Sequence, residues 1–205
     1  MGIDQLKPSQ IRRIKKCRTP REMQKILIDL GFTDQVEEVG SYSTVFSKSN
    51  INIVIKITSE QPDPCWAEFA NFVRRNPNPH FPKIGNVKKM TISGKRYTYE
   101  YFWAFMEKLE PLRHLEHMDL DSFIHGLLGA QQTMRNHSWD SVLKGDKMID
   151  QNYPCLVEIK KKLPDFILAL DTLYTNIPKS CYPDIHSRNV MTRNGVPIII
   201  DPYMD

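Results

Sequence analysis

Cysteine is scarce: Cys17, Cys65, Cys155 and Cys181 are scattered through 205 residues with no Cys-x-x-Cys pair. That spacing argues against a zinc site and a disulfide framework, and is read as reduced thiols in a cytosol. Long hydrophobic runs are missing too. No apolar stretch approaches the roughly 18 residues a bilayer-spanning helix needs, and the charged N-terminus has no apolar signal core behind it. Met1-Gly2 opens like a myristoylation signal, but Leu6 stands where Ser or Thr is required. No membrane association is expected, and there is no internal repeat or low-complexity tract. The charge imbalance is small, +4, and much of it precedes residue 26, in Lys7, Arg12, Arg13, Lys15, Lys16, Arg18, Arg21 and Lys25. A solvated helix face is the simpler reading of that cluster; a surface for an acidic partner or nucleic acid is the sharper one.

What is present is ordinary globular composition, 40% hydrophobic and 25% charged, enough for one substantial core or two small lobes. Ile11, Ile14, Met23, Ile26, Leu27 and Leu30 recur at helical spacing, with Thr19-Pro20 as a start and Gly31 as a stop. This basic helical segment, residues 1–34, is read as an extension preceding the main fold. From Gln35 the pattern turns to strands, and Ile51, Ile53, Ile55 and Ile57 alternate onto one sheet face, leaving Val54 and Lys56 on the other. A helix is predicted over about 64–75, strands over about 84–92 and 97–106, and helices over about 119–136 and 164–175. A hairpin closes at Asn194-Gly195, the strongest short turn signal in the chain.

The chemistry concentrates near that hairpin. If Asn194 and Gly195 are its loop residues, Arg193 pairs with Val196, and Asn189 arrives opposite Ile200, beside Asp201. An amide oxygen and a carboxylate together at a strand end suit a magnesium ion that keeps its other positions for phosphate and water. Asp184 lies upstream in Asp184-Ile185-His186-Ser187-Arg188-Asn189, and Asp-x-x-x-x-Asn is the spacing of a kinase catalytic loop. There the Asp orients the attacking hydroxyl and the Asn binds metal. Lys56, on the face opposite the isoleucines, must find an anion or lose hydration without compensation.

With Gly40-Ser41-Tyr42-Ser43-Thr44-Val45-Phe46 ahead of Ile53-Val54-Ile55-Lys56, the chain resembles the protein kinases, whose glycine-rich loop covers ATP and whose third strand carries a lysine for its phosphates. The run from Asp184 to Met191, followed by Asn194-Gly195-Val196-Pro197 and Ile200-Asp201-Pro202, is similar to the early serine/threonine protein kinases of podoviral coliphages. The resemblance implies an α+β, two-lobed kinase-like fold: an antiparallel N-lobe sheet with one helix over 35–110, and a small, mostly helical C-lobe over 111–205, truncated after the metal-binding aspartate. It implies ATP and Mg2+ as cofactors and phosphorylation of bacterial host proteins in the host cytosol. Asp184, Lys56, Glu68 and His186 take the catalytic roles, with Glu68 paired to Lys56 and His186 bracing the loop. Gly40, Ser41, Tyr42, Ser43, Val45, Val54, Lys56, Met106, Glu107 and Leu109 form the nucleotide site, the last three within the hinge. Asn189 and Asp201 hold the metal.

The pattern also departs from ordinary kinases. Only one glycine of the loop survives, Tyr182-Pro183 replaces the His-Arg before the catalytic Asp, and Pro202-Tyr203 follows Asp201. Two other readings therefore stand beside the protein kinase. One is a small-molecule phosphotransferase, similar to aminoglycoside and choline kinases, which share Asp-x-His-x-x-Asn. The other is an inactive kinase-like module that binds and inhibits a host protein.

Overall fold

A computed structural model describes residues 6–34, 43–58, 63–94 and 97–204, and the chain divides into two units. The first comprises Met1–Arg75 and Lys83–Lys108, the second Asn76–Pro82 and Leu109–Asp205. The protein is a mixed α+β structure with an antiparallel sheet and eight α-helices among the described residues. None of those helices is long and apolar enough to cross a membrane.

In the first unit, α1 (Pro8–Lys15) and α2 (Pro20–Asp29) are joined by a turn that also caps the second helix. The Thr19 side chain accepts from Glu22 N at 3.1 Å, and Glu22 Oε2 accepts from Arg18 N at 2.9 Å. Gly31, at φ 80°, ends α2 in the left-handed conformation that glycine adopts without a Cβ clash. The sheet follows: β1 (Thr33–Asp34), β2 (Ser43–Ser47), β3 (Ile53–Thr58), β4 (Lys88–Ser93) and β5 (Thr98–Glu107), in the order β1-β2-β3-β5-β4, every pair antiparallel.

The isoleucine alternation decides which face is core. Ile53, Ile55 and Ile57 are fully buried and join Phe46, Trp103 and Phe105 in one apolar cluster with Ile14, Met23 and Leu27 of α1 and α2. The basic helices are thus the cover of that sheet face, with their apolar stripe inward and their cations outward. Helix α3 (Pro64–Arg75) starts at Asp63, whose side chain accepts from Trp66 N at 2.8 Å. It buries Trp66, Phe69, Ala70 and Val73, a stripe at helical spacing.

The second unit holds α4 (Leu120–Arg135), α5 (Trp139–Lys144), α6 (Lys147–Asn152), α7 (Pro154–Lys162) and α8 (Pro164–Asn176). Asp119 caps α4 by accepting from Ser122 N at 2.9 Å. Helices α4 and α7 approach closely at Gly126, where a Cβ would stand 2.8 Å from the Cys155 carbonyl oxygen. Two helices are expected from the sequence between 119 and 175; five are present. The additional ones are short, and Gly145, Pro154 and Pro164 at their boundaries break the periodicity that would reveal them.

The small strands of this unit are β6 (Glu110–Pro111), β7 (Tyr182–Pro183), β8 (Val190–Arg193), β9 (Val196–Ile199) and β10 (Tyr203–Met204). They form a β6-β8-β9 sheet and a β7-β10 ribbon. Cys17 and Cys155 are free thiols. Cys65 and Cys181 are not, so the expectation of four reduced cysteines fails for those two.

Candidate functional site

The terminal hairpin has the register expected from its turn: Arg193 pairs with Val196 and Val190 with Ile199, around Asn194 at φ 51° and Gly195 at φ 75°. One step further, Ile200 N donates to Asn189 O at 2.9 Å. The β7-β10 ribbon then fixes the next residue, because Asp184 N donates to Pro202 O at 2.7 Å. Asp201 is therefore held between two backbone bonds, one to the loop's asparagine and one to its aspartate.

Side chains tighten the same loop. Asn189 Nδ2 donates to Asp184 O at 2.8 Å and to Asp184 Oδ2 at 3.0 Å, and lies 3.2 Å from His186 Nε2. Spending the amide nitrogen on Asp184 turns the amide oxygen of Asn189 away as an acceptor. His186 Nε2 is 3.2 Å from Asp184 Oδ2, and His186 Nδ1 accepts from Arg188 N at 3.2 Å, so the ring bridges the loop's ends. On the other side of the carboxylate, Arg135 Nη2 stands 3.5 Å from Asp184 Oδ1. With its amide oriented to satisfy its neighbours, Gln131 donates to Ile185 O at 3.0 Å and accepts from Arg135 at 2.8 Å. Sequence reasoning misses Gln131 and Arg135. They are four residues apart on one face of α4 and about fifty from Asp184, and no local spacing signals such a meeting.

For a metal, Asn189 and Asp201 supply two hard oxygen donors at one strand end, and Asp201 Oδ1 is shielded from solvent. Among the described residues no group of three or more His, Cys, Asp and Glu side chains could hold an ion. Two protein donors fit Mg2+, which favours few protein ligands and takes the rest from phosphate and water.

The first unit presents a second set of residues. Cross-strand register puts Val45 opposite Lys56, Lys56 opposite Ala104, and Val54 opposite Met106. Val45, Val54, Lys56, Ala104 and Met106 consequently share the face opposite the isoleucines. Lys56 is buried at 6% exposure, its Nζ 4.9 Å from the centroid of the Trp66 ring. This is a cation–π position, in which the ring face offsets part of the lost hydration.

Glu68 is not brought to that lysine. It is exposed on α3 and, among the described residues, makes no ion pair with Lys56. Trp66 and Glu68 are two positions apart, so the helix that turns the indole inward turns the carboxylate outward. Gly40, Ser41 and Tyr42 lie outside the described residues; Ser43 opens β2 opposite Thr58. In the segment expected to be the hinge, Glu107 N donates to Lys83 O at 3.0 Å and Lys108 N to Asn52 O at 3.1 Å. Both groups are thus committed within the first unit, and half-buried Leu109 opens the second.

No family model matches the chain, and no curated protein or solved structure matches it.

Proposed function

We propose that the chain is an ATP- and Mg2+-dependent phosphotransferase of the protein-kinase type, acting on serine or threonine hydroxyls of bacterial host proteins. The observation that carries this reading is the closed loop in which Asn189 orients the Asp184 carboxylate, with Asp201 held between bonds to Asn189 and Asp184. A carboxylate held by a side-chain amide on one oxygen and faced by an arginine on the other supports that reading. The sheet adds a buried lysine on its third strand, flanked on one face by Val45, Val54 and Met106.

In this reading Asp184 accepts a hydrogen bond from the acceptor hydroxyl and takes its proton as the new O–P bond forms and the bond from the γ-phosphorus to the bridging oxygen breaks. The electron pair leaves with ADP, and the proton passes from Asp184 to solvent. Arg135 and Asn189 hold the carboxylate in place, so the protein's contribution is positioning and charge neutralisation. Asn189 and Asp201 would hold the metal, which when bound neutralises phosphate charge. Lys56 would neutralise phosphate oxygens. His186 braces the loop.

The exposed position of Glu68 favours a second reading, a module that binds a host protein without catalysis. Incubating the purified chain with labelled ATP, Mg2+ and bacterial lysate separates the two. Label on host proteins that Asp184→Asn abolishes supports the kinase; unlabelled host proteins that nevertheless co-purify support the module.

A further inference from the structure

Beside Asp184, within the second unit, is a groove of about 730 Å³ formed by the end of α4, the segment after α8 and the β7-β10 ribbon. That volume is in the range that holds a compact ligand or a few side chains. Its walls are largely apolar and aromatic, with Met134, Tyr174, Tyr182, Tyr203 and Met204. Tyr182 is 62% exposed and Met204 41%, so the groove presents apolar surface to solvent. The lining contains Arg135 and Lys179 but no Asp or Glu.

Arg135 joins this groove to the candidate catalytic loop. Its Nε donates to Pro183 O at 2.8 Å, one Nη lies 3.7 Å from Met204 Sδ, and the same Nη faces Asp184. Because Arg135 is engaged on one side by Asp184, the exposed Lys179 of the lining is the lysine that faces an incoming ligand.

We infer that this groove receives the acceptor protein itself: a segment in which the serine or threonine is flanked by an apolar side chain and by Asp or Glu. The apolar residue packs against Tyr182 and Met204, and the acidic one faces Lys179. Charge complementarity selects this occupant, since an apolar trough whose lining has no carboxylate and whose exposed lysine is Lys179 disfavours basic segments and accepts acidic ones. Contiguity selects its role, since Pro183 in the groove wall directly precedes Asp184. The inference rests on the kinase reading, so its test must be able to fail separately.

The test uses the full chain with ATP, Mg2+ and two peptides of equal length, each with one serine beside a leucine. One carries Glu near the serine, the other Lys. The parent phosphorylates the Glu peptide with a kcat/KM higher by about three- to fivefold or more, the scale of one rim charge pair. Lys179→Glu reverses the preference, Lys179→Arg keeps it, and Tyr182→Ala raises KM for both peptides. Comparing two peptides on one variant removes any loss of folded enzyme from the ratio. Equal use of both peptides by a parent that labels host proteins, or a preference unmoved by Lys179→Glu, overturns the groove and leaves the kinase reading intact.

A binding arm covers the converse failure. A fluorescent Glu peptide with alanine for serine is titrated in the absence of ATP and read by anisotropy. If the parent transfers phosphate to nothing, the kinase reading falls. Binding that Lys179→Glu abolishes then keeps the groove as a docking site for acidic segments, and no binding overturns that as well.

Discussion

At the residue scale, the amide nitrogen of Asn189 orients Asp184, and in the proposed reading its amide oxygen would be a second, separable group, a donor to the metal. Asn189→Asp keeps an oxygen donor but loses the orienting hydrogen bond and sets a second negative charge beside Asp184. Asn189→Ala loses both functions. Phosphate transfer is expected to fall by roughly 10²-fold or more in each, and raising Mg2+ restores part of the activity only in the Asp variant; metal titrations of the two rates check this. His80 gives a prediction of pH-dependent stability. It is buried, edge-on to Phe166 with centroids 5.4 Å apart, and its Nδ1 donates to Pro197 O at 2.8 Å in the strand that leads to Asp201. Burial, the largest influence, lowers its pKa from the ordinary 6.5, outweighing the carbonyl contact that raises it. The unfolded chain therefore takes up this proton first, and stability falls as pH drops through about 6.5 toward the folded value. Thermal unfolding of the parent from about pH 7.5 to 5 should show a steeper decline than His80→Asn, which starts less stable but lacks that titration; equal slopes would show that His80 does not set the decline. Cys17 is simpler: burial pushes its thiol up to about 11. In the native protein it should react with iodoacetamide far more slowly than half-buried Cys155, as mass spectrometry of the labelled chain would show.

At the element scale, the contact between α4 and α7 depends on a missing side chain. Gly126→Ala would gain roughly 1 kcal/mol in helix propensity, but its Cβ would meet the Cys155 backbone carbonyl at 2.8 Å, which cannot rotate away. Overpacking of this kind costs about 1–3 kcal/mol, so a melting temperature lower by a few degrees is expected, with secondary structure by circular dichroism unchanged. The elements that could be read in the sequence are those with a local physical signature. Asn194-Gly195 favours a turn with positive φ at both positions, which sets the hairpin register and brings Asn189 alongside Ile200. The alternating isoleucines announce both the core face of β3 and the side on which Lys56 lies. α3 shows where such reading stops. Its extent follows from Asp63-Pro64 and Asn76-Pro77, but its rotation about its own axis is set by how Trp66, Phe69, Ala70 and Val73 pack, and that rotation carries Glu68 outward and Trp66 to the lysine. The support that α4 gives Asp184 through Arg135 and Gln131 depends on tertiary packing across α5 to α8, three of which are too short to show a period.

At the scale of the whole molecule, the basic N-terminal helices belong to the core of the first unit. Ile14, Met23 and Leu27 are fully buried against the sheet, and at about 1.5–3 kcal/mol for each such side chain they contribute on the order of 5–9 kcal/mol. That is comparable to the entire stability of an ordinary domain. Removing residues 1–31 should therefore unfold or aggregate the protein, whereas reversing the exposed charges Arg12, Arg13, Lys15 and Lys16 should leave it folded; solubility and circular dichroism distinguish the two. The proposed role of Asp184, which Asn189 and Arg135 contact in the second unit, is to act on a hydroxyl. Its most direct test is transfer of the γ-phosphate of labelled ATP to serine and threonine of bacterial proteins by the purified chain with Mg2+, compared with Asp184→Asn. Labelled phosphoserine and phosphothreonine are predicted with the parent, and a loss of at least about 10²-fold with the variant; equal labelling by both, or no transfer by a folded parent, would contradict that claim.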